Sequence, residues 1–74
     1  MRANLKLAII RAGLTQRHVA RRSGLTENRL SSIIHAWVDP RPEEQDAILS
    51  ALGRTSRSLF RVERDVANDA SDAA

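Results

Sequence analysis

The chain contains no cysteine and no tyrosine, and it has one tryptophan and one phenylalanine among its 74 residues. Without cysteine it can form neither a disulfide nor a thiolate metal site. Its longest apolar run is the four residues from Leu7 to Ile10, so the sequence predicts no membrane-spanning segment and no signal peptide. We therefore expect a small, soluble, cytoplasmic protein.

Acidic side chains are nearly absent from the first half of the chain. Residues 1–36 carry seven basic side chains and one acidic side chain, Glu27. Residues 37–60 carry three basic and four acidic side chains, and residues 61–74 carry two and four. The positive charge is therefore concentrated where a polyanion would bind. A genomic bias toward arginine explains the preference for arginine over lysine, but it explains the scarcity of acids less well.

The length and the apolar content predict one small domain. Hydrophobic residues make up 42% of the sequence, which is ordinary for a helical domain and too high for a disordered chain. The last residues have little apolar surface to bury. We expect a folded domain over residues 1–62 and an acidic, disordered tail over residues 63–74.

Three helices are predicted in the first half from apolar residues that recur at helical spacing. In the first helix, Leu5, Ala8, Ile9 and Ala12 have the i, i+3, i+4, i+7 spacing of one helix face. The second helix is predicted over residues 16–22, and the third begins at Glu27. Cap residues are expected at Asn4, Thr15 and Thr26, and the three helices are expected to end at Gly13, at Gly24 and near His35.

Two further helices are predicted after the turn signal Asp39-Pro40. Pro42 fits the first turn of the fourth helix, where its missing N–H costs nothing, and Gly53 ends that helix. A fifth short helix is expected to start at Thr55 or Ser56 and to continue to residue 62. No segment shows the alternation typical of a strand, so the predicted fold class is all-α.

The segment "GLTQRHVARRSGLTENRLSSII" contains a specific spacing of residues. Thr15-Gln16 is followed by Ala20 four residues after the glutamine, Gly24 four residues later and Leu30 six residues beyond. In this spacing the chain resembles the helix-turn-helix of phage Cro and repressor proteins, the Xre-like family. The resemblance extends over residues 4–62, with "PEEQDAILSALG" matching the fourth helix of the family. It implies a compact five-helix, lambda-repressor-like DNA-binding domain with its helix-turn-helix at helices 2 and 3.

Each matched residue also has a physical reason to be where it is. Ala20 is small because two helices cross closely there. Gly24 supplies the positive φ that lets the third helix leave at a steep angle after a short turn. Leu25 and Leu30 anchor that helix to the core and leave its other face free.

The resemblance implies two sets of contacts with double-stranded DNA. Base edges in the major groove are expected to meet Glu27, Asn28, Arg29, Ser31 and Ser32. Phosphates are expected to meet Thr15, Gln16, Arg11, Arg17, His35 and Arg41. Asn28 suits adenine and Arg29 suits guanine, while Glu27 either accepts from cytosine or orients Arg29. For each of these residues, the alternative is a solvated polar surface.

The sequence departs from the family pattern around the end of the third helix. Ala36 stands where glycine is usual, Ile34 where glutamate is common, and Trp37 where a polar residue is usual. We expect Ile34 and Trp37 to cover the core beneath the loop. The alternative is an apolar patch for a second subunit or a protein partner.

The leading functional hypothesis is a sequence-specific transcriptional regulator of the repressor or Cro type. The family usually binds near-palindromic sites as homodimers, and the expected dimer surface contains Leu59, Phe60 and Val62.

An enzyme is disfavoured because His18 and His35 fall in different helices, with no triad, no paired carboxylates and no phosphate loop. No cofactor, metal, membrane or small-molecule ligand is expected. The alternatives are a protein-interaction module that has lost DNA binding and a weakly specific architectural DNA binder.

Overall fold

The computed structural model describes residues 1–62, which form four α-helices followed by one short 3-10 helix. The helices are α1 (Ala3–Arg11), α2 (Gln16–Ser23), α3 (Glu27–Ile34) and α4 (Pro42–Leu52), and the 3-10 helix is Arg57–Phe60. These residues include no strand, so the all-α prediction is confirmed. The predicted acidic tail, residues 63–74, lies outside the described residues.

The predicted caps of α2 and α3 are confirmed. The Thr15 hydroxyl accepts from the His18 backbone N–H at 3.2 Å, and the Thr26 hydroxyl accepts from the Arg29 backbone N–H at 3.0 Å. Each threonine has the extended backbone of an N-cap residue. Both bonds satisfy a backbone donor that the helix itself cannot satisfy.

Two predictions about helix ends are wrong. Asn4 does not cap α1, because the helix starts at Ala3, two residues earlier than that cap implies, and the carbonyl of Arg2 already accepts the Lys6 N–H at 3.2 Å. The fifth helix is one turn of 3-10 helix, because the backbone is extended at Ser56 before it and again at Arg61 after it. It therefore does not continue to residue 62.

The core lies where α2 packs against α3 and α4, and where α1 packs against α3 and the 3-10 helix. It consists of Leu5, Ala8, Ile9, Val19, Ala20, Leu30, Ile33, Ile34, Ile48, Leu49, Leu59 and Phe60. Ala20 is 2% exposed, as expected for a small residue at a helix crossing. Among the described helices, none is long and apolar enough to cross a membrane.

All four α-helices close with the same pair of backbone hydrogen bonds. At the end of α2, Leu25 N–H donates to Ala20 C=O at 2.9 Å and Gly24 N–H donates to Arg21 C=O at 3.2 Å, with Gly24 at φ +72°. A Cβ at Gly24 would meet no atom within 4 Å, so the requirement there is backbone conformation rather than space. The equivalent left-handed residues of α1, α3 and α4 are Gly13, Ala36 and Gly53.

Ala36 is the one non-glycine residue with positive φ in residues 1–62, at φ +64°. The left-handed conformation costs an L-residue about 1–2 kcal/mol, and glycine removes that cost. Glycine also gives the unfolded chain more conformational entropy, which offsets about 0.5–1 kcal/mol of the stabilisation. We expect Ala36→Gly to raise the free energy of unfolding by about 0.5–1 kcal/mol. Urea unfolding followed by circular dichroism measures the change.

The control for this prediction is Ala47→Gly, inside α4. There the same substitution meets ordinary helical backbone and is expected to lower the free energy of unfolding by about 1 kcal/mol. Equal destabilisation by both substitutions would contradict the left-handed conformation at Ala36.

Arg2 is buried, at 2% exposure, and ties four parts of the fold together. Its Nε donates to the Phe60 carbonyl at 2.8 Å, and its Nη1 donates to the carbonyls of Ile33 at 2.6 Å and Val38 at 3.0 Å. Its Nη2 donates to Asp39 Oδ1 at 2.8 Å. The guanidinium therefore holds α1, the carboxyl end of α3, the following loop and the 3-10 helix in one arrangement.

Candidate nucleic-acid interface

One side of α3 is anchored in the core and the opposite side faces solvent. The anchored residues are Leu30, Ile33 and Ile34, each with no exposed surface. At about 100° per residue, Asn28, Ser32 and His35 lie on the opposite side, with Ser31 beside them. Asn28 and His35 are exposed, and the two serines are half-buried. This side offers hydrogen-bonding groups and no carboxylate or guanidinium.

The two charged residues of α3 lie at opposite edges of that exposed side. Glu27 faces α2, where its carboxylate lies 3.7 Å from Nε of Arg17, with the two side chains 55% and 73% exposed. An ion pair this open contributes little stability. It does place a predicted phosphate-contacting residue of α2 beside a predicted base-contacting residue of α3.

Arg29 is engaged in a way that the sequence did not predict. Its Nε donates to Glu44 Oε2 at 2.9 Å and its Nη2 donates to Glu44 Oε1 at 2.8 Å, so both carboxylate oxygens are used. Nη2 also lies 3.5 Å from the Asp39 carbonyl oxygen, at the limit of a hydrogen bond. The guanidinium is thus turned toward α4. We expected the Arg29 side chain to be free for a base and to be oriented by Glu27. In the structure it is paired with Glu44 instead.

The same carboxylate also fixes the start of α4. Glu44 Oε1 accepts from the Arg41 backbone N–H at 2.8 Å, which brings Arg41 into the neighbourhood of Arg29. The hydrogen bond from Arg29, with a smaller contribution from the Arg41 N–H, lowers the pKa of Glu44 to about 2, against the opposing effect of desolvation. The same contact raises the pKa of Arg29.

This lowered pKa predicts a loss of stability in acid. Because the pKa of Glu44 is about 2 in the folded protein and 4.5 as its ordinary value, its stabilising contribution is present above about pH 4.5. It is lost as the pH falls from there toward about 2. We expect the stability difference between the wild type and Glu44→Gln to shrink between about pH 6 and about pH 3 in urea unfolding. A constant difference would contradict the assignment.

The amino end of α2 presents groups that suit a phosphate. Thr15 is exposed and Gln16 is half-buried. The first backbone N–H groups of a helix have no partner within it, and Thr15 satisfies only that of His18. The N–H groups of Gln16 and Arg17 are therefore positioned for an external oxyanion at the positive end of the helix dipole.

Arg11 is grouped with residues outside α2 and α3. It lines a cleft of about 130 Å³ between α1 and the segment around the 3-10 helix, together with Asn4, Leu7, Ala8, Arg54, Ser58 and Leu59. No residue of α2 or α3 lines this cleft. Arg11, which the sequence predicts to contact phosphate, thus lines the same cleft as Arg54. Arg54 was not among the residues predicted from the sequence.

His35 and Trp37 form an exposed aromatic pair at the end of α3. Their ring centroids are 4.8 Å apart with an interplanar angle of 20°, and Trp37 is 72% exposed. Ile34 is fully buried, so the prediction that it covers the core is confirmed. The same prediction for Trp37 is wrong, because the left-handed Ala36 turns the chain and leaves the indole in solvent beside the imidazole.

The predicted dimer residues are mostly internal. Leu59 is 5% exposed and Phe60 is 8% exposed, and both belong to the core of the chain itself. They are buried because the 3-10 helix packs against α1 and α4. Leu59 and Phe60 are therefore not accessible to a second subunit in this fold, and Val62, which is 50% exposed, is the accessible member of the predicted set.

The positive charge of the first half is smaller at the surface than the sequence count suggests. Arg2 is buried, and Arg29 is paired with Glu44. The five remaining basic side chains of residues 1–36 are all exposed, namely Lys6, Arg11, Arg17, Arg21 and Arg22. The one acidic side chain in this range, Glu27, is exposed as well. The surface thus keeps an excess of basic groups.

The sequence carried a signal for Glu44 but none for Arg2. Glu44 follows the cap residue Arg41 by three positions, which is the position at which a glutamate reaches back to the helix start. Arg2 looks like any other basic residue next to a helix, because its acceptors lie far away in sequence at Ile33, Val38 and Phe60.

Comparison with models of known protein families, with curated proteins and with solved structures finds no match for this chain. Within residues 1–62, no group of three or more His, Asp or Glu side chains is placed to hold a metal ion.

Proposed function

We propose that this protein is a cytoplasmic, sequence-specific regulator that binds double-stranded DNA with α3 in the major groove. In this proposal α2, the turn at Gly24 and α3 act as a helix-turn-helix within a lambda-repressor-like domain. The fifth helix of that fold corresponds to the shorter 3-10 helix. The resemblance of "TQRHVARRSGLTENRL" to the Cro and repressor group supports it.

The observation that carries the proposal is the orientation of α3. Its apolar side is fully buried, and its opposite side presents Asn28, Ser32 and His35 with no carboxylate or guanidinium among them. The first turns of α2 and α3 are neighbours, since the Arg17 side chain lies 3.7 Å from the Glu27 carboxylate. A polar reading surface flanked by phosphate-binding groups is what a groove-reading helix needs.

The bound form in this proposal is a homodimer on a near-palindromic site, with half-sites about one helical turn apart. The interface would include Val62, the exposed member of the predicted set. Sedimentation of the protein alone and with a selected duplex gives the stoichiometry.

Selection from a pool of randomised duplexes tests the proposal. We expect an enriched palindromic motif, and we expect Asn28→Ala to lose about 1–3 kcal/mol of discrimination at one base pair of each half-site. Arg22→Ala, an exposed basic residue late in α2, is the control. It should leave the preferred sequence unchanged. Binding with no sequence preference would favour an architectural role.

The second candidate is a protein-interaction module. Its support is the exposed apolar surface: Trp37 is 72% exposed, Ile10 60% and Leu7 43%. Aromatic side chains are more frequent in protein–protein interfaces than in the rest of the protein surface. This candidate becomes the better account if the protein binds no duplex at low salt.

A further inference from the structure

The pair between Arg29 and Glu44 bears on which bases α3 can read. Arginine is the residue that usually reads guanine, through two parallel N–H groups directed at O6 and N7. Arg29 lies in the first turn of α3, next to Asn28, where such a residue would be expected. Its guanidinium is instead committed to a carboxylate of α4 through Nε and Nη2.

The commitment is firm for three reasons. Both carboxylate oxygens accept, so the pair is bidentate, and its acceptor is a full negative charge, whereas the O6 and N7 acceptors of guanine are neutral. The carboxylate is itself fixed by the Arg41 N–H at 2.8 Å. Glu44 has 12% of its side chain exposed, so removing its partner would leave a nearly buried charge unpaired.

The pair with Glu44 leaves Arg29 few donors for a base. Nε and one N–H of Nη2 bind the carboxylate, and the second N–H of Nη2 lies toward the Asp39 carbonyl oxygen, 3.5 Å away. Only the N–H groups of Nη1 remain, whereas guanine readout uses parallel N–H groups on two nitrogens. Only 32% of the side chain is exposed. Asn28, by contrast, is exposed on the centre of the outward side of α3.

We infer that Glu44 is a specificity-determining residue: by holding Arg29 against α4 it removes guanine readout from α3 and leaves Asn28 to select adenine. This inference rests on the proposed function, because it concerns which bases the same helix reads. Glu44 touches no base in this account and acts by position. The charge of Arg29 is also neutralised locally, so Arg29 contributes no phosphate contact either.

The test compares base preferences and salt dependence for four variants. Asn28→Ala is expected to lose about 10-fold or more in discrimination for adenine at one base pair. Arg29→Ala is expected to change no base preference by more than about 2-fold. Glu44→Gln frees Arg29 for the DNA and is expected to steepen the log–log salt slope by about one unit. Glu43→Gln, an exposed neighbour in the same turn of α4, makes the same change in net charge without freeing Arg29 and should leave the slope nearly unchanged.

Two results would overturn the inference while leaving the proposed function intact. One is a loss of about 10-fold or more in guanine discrimination on Arg29→Ala, and the other is a slope that Glu44→Gln does not change more than Glu43→Gln does. If Arg29→Ala fails to fold, the double variant Arg29→Gln/Glu44→Gln replaces it, since it keeps an uncharged hydrogen-bonding pair at the same place. Absence of DNA binding by the wild type would instead end the proposed function, and the inference with it.

Discussion

Arg2→Met is expected to lower the free energy of unfolding by about 3–5 kcal/mol, the cost of breaking a buried, hydrogen-bonded charge site. Three carbonyl oxygens, those of Phe60, Ile33 and Val38, would lose the guanidinium. A methionine side chain fills similar space but donates nothing, so the Phe60 and Val38 carbonyls would lose their donor, while the Ile33 carbonyl would keep the Ala36 N–H at 3.1 Å. Because a small domain has only about 5–15 kcal/mol of stability, the variant is expected to be partly unfolded in urea-free buffer.

Asp39→Asn separates the carbonyl bonds from the ion pair at the same site. The Asp39 side chain is 94% exposed, against 3% for Arg2, so solvent screens the charge on the aspartate side. We expect this substitution to cost less than about 1 kcal/mol. A loss as large as that of Arg2→Met would show that the ion pair, rather than the three carbonyl contacts, holds the loop after α3.

Arg22→Met is the control for substitution of arginine as such. Arg22 is exposed on α2, and surface substitutions of this kind usually stay within about 0.5 kcal/mol of the wild type. Urea unfolding at low temperature, followed by far-ultraviolet circular dichroism, compares all three variants. Similar stabilities of Arg2→Met and Arg22→Met would contradict the burial of Arg2.

Ile33→Ala is expected to cost about 2–5 kcal/mol, the range for truncating a fully buried isoleucine. Ile33 has no exposed surface, and it lies on the anchored side of α3 with Leu30 and Ile34. The prediction tests the rotation of α3 about its axis, because the reading side is defined as the side opposite these residues.

Ile10→Ala is the matched control, since it makes the identical substitution where the side chain is 60% exposed. We expect it to cost less than about 1 kcal/mol. If Ile33→Ala were as mild as Ile10→Ala, α3 would be rotated from the arrangement described, and the exposed position of Asn28 would no longer follow.

Local signals in the sequence were sufficient for most helix boundaries. The threonine caps at Thr15 and Thr26 and the glycine closures at Gly24 and Gly53 each depend on atoms within five residues, so a short window of sequence contains the whole interaction. The start of α1 was missed because Asn4 looks like a cap, whereas the carbonyl of Arg2 begins the helix.

Contacts between distant residues were the part that sequence reasoning could not reach. The exposure of Trp37, the burial of Phe60 and the pairing of Arg29 with Glu44 are all set by how α3, α4 and the 3-10 helix pack. The count of basic residues in the sequence assigned Arg2 and Arg29 to a basic surface. Such a count contains no information about which basic side chains are buried or paired with an acid in the folded chain. The polar side of α3 was anticipated better, because the spacing of Leu30, Ile33 and Ile34 fixes the buried side and therefore its opposite.

Binding to duplex DNA as a function of salt is the most direct test of the central claim, that α2 and α3 form a DNA-reading surface. Fluorescence anisotropy of a labelled random duplex and of the selected duplex gives both affinities. We expect a log–log slope of about −3 to −5, from release of counterions at a few phosphates, and tighter binding of the selected duplex at every salt concentration. Absence of binding even at about 50 mM salt would contradict the claim and direct attention to a protein partner at Trp37.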